Sequence, residues 1–476
     1  MPKLPVSQPR QIPWALAALS LSMLLSSLGT SIANVALPTL AEVFGASFQQ
    51  VQWVVLTYLL AITTLIVSVG RLGDIFGRRR LLLSGIMVFT IASVLCAAAP
   101  TLDLLLAARV AQGLGAATMM ALTMAFVAEI VPKDRTGRAM GLLGTMSAVG
   151  TMLGPSLSGV LIGGFGWRSI FLVNLPLGIL AFVLAQHHLP TDRQNPKTHL
   201  ARFDSIGTLL LALSLAAYAL ATTLGRGHFG VLNMALLLAA AIGSGLFVYS
   251  QTQVASPLVR LAAFRDPALG ASLAINVLVA TVMATTFVVG PFYLSKSLGL
   301  GATAVGMVMA VGPAISIVGG VLAGRVVDRW GAAPMVVVGL VAMVTGAAAL
   351  SLLPAMFGVV GYVVAIAILT PGYQLFQAAN NTAVMVDVSA DQRGVISGLL
   401  SLSRNLGLIT GASVMGAVFA FAAGTTDITT ASPESVAAGL RTTFAVAALL
   451  VTAALAIAVA SYRRAETKKA PGQALF

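Results

Sequence analysis

The chain has 476 residues, 58% of them hydrophobic and only 9% charged, with a formal net charge of +13. A soluble protein would devote about a quarter of its residues to charge, so composition excludes a water-soluble globular fold, and a mean hydropathy of +0.97 agrees. The excess cations sit in short loops between apolar runs rather than on one basic domain, which excludes a nucleic-acid surface and fits the retention of cations on the cytoplasmic side of a membrane.

In chain order, a short basic tail (1–11) precedes a first apolar run at 14–36, too long for a signal-peptide core and therefore an uncleaved span. Further spans are predicted at 51–71, 81–99, 104–128, 138–163 and 169–187, each about long enough to cross a ~30 Å hydrocarbon layer as a helix. A polar linker from 190 to 204 follows, then a pair at 206–225 and 230–250. Six more are predicted at 268–294, 303–323, 334–353, 357–386, 395–421 and 440–460, before a basic tail. With both termini in the cytoplasm, only Arg168, Arg226, Lys296 and Arg441 fall outside, and only Arg109 and Arg404 fall within spans. The expected fold is therefore an all-α membrane protein with fourteen transmembrane helices. Its organisation is an N-terminal six-helix bundle (1–190), an inserted helix pair (191–264), a C-terminal six-helix bundle (265–462) and a cytoplasmic tail (463–476). The inserted pair carries few polar residues and reads as a lipid-facing linker.

Two internal repeats support the halves. Gly70-Arg71-Leu72-Gly73-Asp74-Ile75-Phe76-Gly77-Arg78 is a basic hinge between two spans, and its Gly, Arg, Asp and Gly return at Gly324, Arg325, Asp328 and Gly331, 254 residues later (324 − 70). Gly137 and Gly141 return at Gly394 and Gly398, 257 residues later (394 − 137). Duplication of this kind between spans points to a transporter. The lone Cys96 lies in an apolar run, and His187, His188, His199 and His228 fall at helix ends or in loops, so no metal site or cofactor is expected. No set of acids, histidines or serines converges as an enzyme would require.

The hinge resembles the signature loop of the major facilitator superfamily. Ser31–Pro38, Gln52–Tyr58, Arg109–Ala116, Trp167–Gly178, Phe376–Met385 and Ser403–Gly407 are similar to the fourteen-span drug:proton antiporter branch. So is Gly150–Gly159, apart from Ser158 in a place usually held by Gly. The resemblance implies alternating access, export of amphipathic small molecules or drugs, and proton antiport in a cytoplasmic (inner) membrane. An exporter or facilitator of anionic or neutral metabolites is the alternative. It also implies a latch, with Asp74 docking at the start of the helix near Gly394, Asp328 near Gly137, and Arg78 paired with Glu129, on a hinge framed by Gly70 and Gly77.

Gly150, Gly154 and Gly159 thin one side of a span and Pro155 removes a backbone donor, which suits a helix pivot. Asn34, Arg109, Gln112, Gln377, Asn380, Asn381 and Arg404 are the expected cavity or coupling residues. Gln377 and Asn381 share a helical face. Arg109 and Arg404 are expensive at membrane depth and must either meet a solute or be tied by carbonyls and amides such as Gln112 and Asn405. One departure stands out: Gly29 occupies the position, nine residues before Pro38, where related antiporters place an aspartate.

Overall fold

The computed structural model describes residues 12–131, 136–192, 204–224, 230–254, 257–258, 267–385, 393–424, 428 and 431–469; some helical side chains within these ranges, including those of Arg71, Asp74, Ile75, Glu129 and Arg393, are not described. All regular structure among these residues is helical. The helices are α1 (Ile12–Ser31), α2 (Leu37–Phe44), α3 (Phe48–Phe76), α4 (Arg78–Ala98), α5 (Leu102–Ile130), α6 (Thr136–Phe165), α7 (Ser169–Leu172), α8 (Asn174–His188) and α9 (Ser205–Thr223). They continue with α10 (Val231–Gln253), α11 (Pro267–Phe292), α12 (Ala302–Met309), α13 (Val311–Trp330), α14 (Ala332–Met385), α15 (Arg393–Thr410), α16 (Gly416–Ala422) and α17 (Pro433–Lys469). Among the described residues, eleven helical stretches are long and apolar enough to cross a membrane. One of them, α14, is two helices joined at Gly358, whose backbone leaves the helical region.

Several predicted spans are interrupted for local reasons. The run 14–36 stops at Ser31; a turn follows, and α2 restarts with Pro38 in its first turn, where a missing N–H costs nothing. Ser47 and Gln50 then form a reciprocal capping box that starts α3. The run 395–421 contains a π turn, Gly411–Met415, and a second π turn, Tyr293–Ser297, closes α11.

The chain divides into two compact units. The first comprises Met1–Tyr218, Ala235–Leu258 and Ala302–Gly306, and the second Ala219–Met234, Val259–Gly301 and Met307–Phe476. In the first, α5 lies against α3 and α4 because Gly113 faces the Tyr58 carbonyl and Gly115 faces the backbone of Gly85 and Phe89; a Cβ at either would sit 2.7 Å from main chain. The glycine seams of the two units match. Gly150 and Gly154 bring α6 onto Leu24 and Ser31 of α1, while Gly407 and Gly411 bring α15 and its π turn onto Val277 and Thr281 of α11. These glycines carry the 257-residue repeat onward (407 − 150, 411 − 154). Asn276 seals the second seam, its Nδ2 donating to Leu400 O (3.0 Å) and Ser403 Oγ (2.8 Å).

The hinges also match. Gly77 (φ 92°) ends α3 and Gly331 (φ 86°) ends α13, each a backbone conformation that favours glycine. α10 turns most of its apolar side chains outward, but Ser68 Oγ of α3 meets Thr208 Oγ1 of α9 at 2.9 Å. Asp204 caps α9 through Gly207 N (2.7 Å) and accepts from Gln251 Nε2 of α10 (2.8 Å).

Candidate functional site

Arg109 is fully buried, and neutral groups surround it. Its Nε donates to Val54 O (2.8 Å), Nη1 to Gln112 Oε1 (2.6 Å) and Nη2 to Gly29 O (3.0 Å). The Tyr58 ring lies 4.1 Å from the guanidinium carbon. Gln112 Nε2 in turn donates to Ser93 Oγ (2.7 Å), which donates to Phe89 O (2.8 Å). Tyr58 Oη donates to Ser26 O (2.7 Å).

Gly29 belongs to the last turn of α1, where Leu28 O and Ser31 O are taken by the backbone amides of Ile32 and Asn34 and Gly29 O is taken by Arg109. Arg109 therefore acts as a cationic cap on a helix C-terminus, where the helix dipole favours positive charge. Carbonyl dipoles, an amide and an aromatic face do the work that a carboxylate would do elsewhere.

The guanidinium is tied to backbone and amide, and it offers no exposed surface to an anion in this conformation. Gly29 is also accounted for: a Cβ there would sit 2.5 Å from Tyr58 Oη and 2.9 Å from its Cζ, so the phenol fills the space that a side chain at 29 would use. Among the described residues of the first unit, the acids Glu42, Asp103, Asp192 and Asp204 stand at helix ends or in the linker, not within this shell. The sequence gives no sign of Ser93 in this shell, and Tyr58 is signalled only as the last residue of the Gln52–Tyr58 motif.

Asn34 sits in the turn after α1, nearly fully buried. Its Nδ2 donates to Ser31 O (3.0 Å), and its Oδ1 has no partner among the described residues. In the second unit, α14 carries Thr370, Tyr373, Gln374, Gln377, Asn380 and Asn381 within about a third of its circumference at ~100° per residue. Asn380 is buried, Gln377 half-buried and Asn381 exposed; Gln377 Oε1 and Asn380 Nδ2 have no hydrogen-bond partner among the described residues. Arg404 is half-buried on α15.

The latch is only partly visible, because the side chains of Asp74 and Glu129 lie outside the described residues, as do those around Gly137 and Gly394. Asp328 is exposed in the last turn of α13. The hinge does hold a carboxylate that sequence reading passed over: Asp192 of the linker accepts from Arg79 N (2.8 Å) and Arg80 N (3.1 Å), capping α4. A Cβ on Gly77 would collide with that carboxylate, so this glycine serves both the turn and the docking; Gly331 has only Pro334 nearby. Arg79 also reaches Gln186 O of α8. Among the pivot residues, Pro155 lies inside α6 one residue after Gly154, and Gly159 meets Gly306 of α12 backbone to backbone.

The sequence model of the Major Facilitator Superfamily matches residues 19–412. The chain is 32% identical over 409 residues to the multidrug resistance protein Stp of Mycobacterium tuberculosis (strain CDC 1551 / Oshkosh), covering 85% of this chain and 75% of that protein. It is 31% identical over 411 residues to the riboflavin transporter RibZ of Clostridioides difficile (strain 630), covering 85% and 88%. A solved structure of a bacterial homolog of the human lysosomal transporter Spinster, inward-facing and occupied, matches 97% of this chain and 98% of that one. The TM-score is 0.67 at 17% identity, a likeness of fold alone.

Proposed function

The chain belongs to the Major Facilitator Superfamily of membrane transporters, and we propose that it exports amphipathic, uncharged small molecules by alternating access of two six-helix bundles. The observation that carries this reading is the neutral shell of Arg109, in which no described side chain offers a charged solute a partner, taken with the relative Stp, a multidrug resistance protein. Fourteen crossings are part of this reading, supported by the break of α14 at Gly358 and by the shorter apolar helices Val149–Phe165 and Ala302–Ser316 beside the eleven longer stretches. The bundles are 1–190 and 265–462, with 191–264 inserted. The cation distribution supports an inner-membrane protein with both termini in the cytoplasm and lipid around α10.

Proton antiport is the coupling that resemblance implies. With Tyr58 against Gly29 and no acid beside Arg109 among the described residues, coupling through the first span has no carboxylate to use, so we assign export to the solute's own gradient or to protons carried elsewhere. The hinge latch of Asp74 and the pivot of Gly150, Gly154, Pro155 and Gly159 are the moving parts of the same reading. The test is flux of a neutral amphiphile and of a quaternary ammonium dye in proteoliposomes, with and without an imposed pH gradient. Preference for the dye, driven by the gradient, would overturn it. A second reading, carriage of a neutral metabolite, is favoured by the amide stripe on α14 and by the relative RibZ.

A further inference from the structure

In the second unit, amides with a structural task have found their partners. Asn276 is bonded to Leu400 and Ser403, and Asn233 donates to Ala221 O (2.8 Å) and Leu224 O (2.7 Å). The stripe on α14 behaves differently. Asn380 is 1% exposed, yet its Nδ2 meets no acceptor; Gln377 Oε1 is shut from solvent and meets no donor. They lie one turn apart on one face, and they bond neither to each other nor to another described residue. Buried polar atoms without partners are rare because water has been given up and nothing gained. Two on adjacent turns, one lacking a donor and one lacking an acceptor, form a complementary pair awaiting a third party.

We propose that Gln377 and Asn380 read the substrate, and that the substrate class is an uncharged solute carrying an N–H beside a C=O: the edge of an imide, a lactam or a carboxamide. Side chains three residues apart on a helix start about 5–6 Å apart at Cβ and can converge on the two atoms of such an edge. Gln377 Oε1 accepts from the solute N–H, and Asn380 Nδ2 donates to its carbonyl. Because an amide can turn over and exchange its ends, the pair also takes the edge in the opposite order. Tyr373, one turn before Gln377 on the same arc and half-buried, offers a flat apolar surface for an attached ring. The arc holds no carboxylate and no ammonium or guanidinium, so neither a cation nor an anion is rewarded. A site built to hydrogen-bond one group discriminates against an analogue that lacks it, since its own buried atoms are then left bare.

This inference rests on the transport reading above, and its test separates the two. Purified protein in proteoliposomes is given riboflavin, whose ring bears an imide edge, 3-methylriboflavin, in which the N–H is replaced by methyl, and a quaternary ammonium dye. The expected result is riboflavin flux well above protein-free vesicles, with the methylated compound about tenfold slower, as one lost hydrogen bond would make it. Paired variants (Gln377→Leu with Asn380→Leu, and Gln377→Ala with Asn380→Ala) should slow riboflavin more than the methylated compound, until the two flavins move at equal rates. Equal rates for the two flavins in the unsubstituted protein would overturn the inference without any variant having to fold. So would variants that keep the discrimination. Movement of the dye but of neither flavin would overturn both the inference and the preference for uncharged solutes, leaving transport itself standing; movement of no probe would overturn the transport reading as well.

Discussion

Gly29→Ala is the sharpest probe of the Arg109 shell. The new methyl would sit 2.5 Å from Tyr58 Oη, 2.9 Å from Cζ and 3.3 Å from Phe89 Cε2, inside any normal contact. Tyr58 is fully buried and cannot swing away freely. To relieve the clash it must surrender its bond to Ser26 O, a loss of about 1–3 kcal/mol for a buried hydroxyl, and move off the guanidinium, a further ~1–2 kcal/mol. A total near 3 kcal/mol corresponds to an apparent melting temperature about 6 °C lower, at roughly 2 °C per kcal/mol for a large domain. Tyr58→Phe removes the hydroxyl at the point of collision. In the double variant the worst contact is gone and the remaining one, 2.9 Å to Cζ, needs a smaller shift of the ring, so the two losses should fall short of additivity by about 1 kcal/mol. The assay is thermal unfolding of the four proteins in the same detergent. A stable Gly29→Ala protein, or strict additivity with Tyr58→Phe, would refute the account of why this position is glycine.

Arg109→Lys should misfold or aggregate rather than merely lose activity, because an ammonium cannot reach Val54 O, Gly29 O and Gln112 together; monodispersity on gel filtration reports it. Asp192→Ala should cost about 1–2 kcal/mol of local stability at the start of α4 and speed hydrogen exchange of the Arg79 and Arg80 amides, while Asp192→Asn keeps part of the protection. Gly154→Ala and Gly411→Ala, which push on Ser31 and on Ala284, should slow flux per folded protein. Gly245→Ala, whose methyl would meet nothing within 4 Å, should leave it unchanged. Asp74→Asn should lower flux about tenfold if a latch worth ~1.4 kcal/mol is lost, with folding intact by circular dichroism.

Much of the fold was legible because membrane crossing is enforced by composition and because the chain repeats itself. The 254-residue spacing of the hinges reappears as the same left-handed glycine, at 77 and at 331, since the sequence there must supply a conformation only glycine tolerates easily. The 257-residue spacing reached further than Gly137 and Gly141: it continues to Gly150 with Gly407 and Gly154 with Gly411, a register that could have been followed in the sequence alone. The end of α1 at Ser31 was harder, because residues 32–36 are apolar apart from Asn34. Asp192 was out of reach altogether, lying more than a hundred residues from the amides it caps in a linker with no periodicity. The partners of Arg109 were half legible. Gln112 stands one turn away on the same helix, whereas Val54 and Gly29 take part through carbonyl oxygens that every residue possesses.

That last point bears on how such a site changes over generations. A hydrogen bond to a main-chain oxygen survives whatever residue supplies it, so position 54 is free to drift among apolar side chains without any answering change at position 109. Coupled substitutions, the usual trace of contact between distant positions, would not be generated by this part of the shell. The Gln112–Ser93 link, and the shared space of Gly29 and Tyr58, are where paired changes would be forced, because there one side chain must give way to another. Comparison across descendants of this chain would then register two peripheral contacts and pass silently over the arginine they surround.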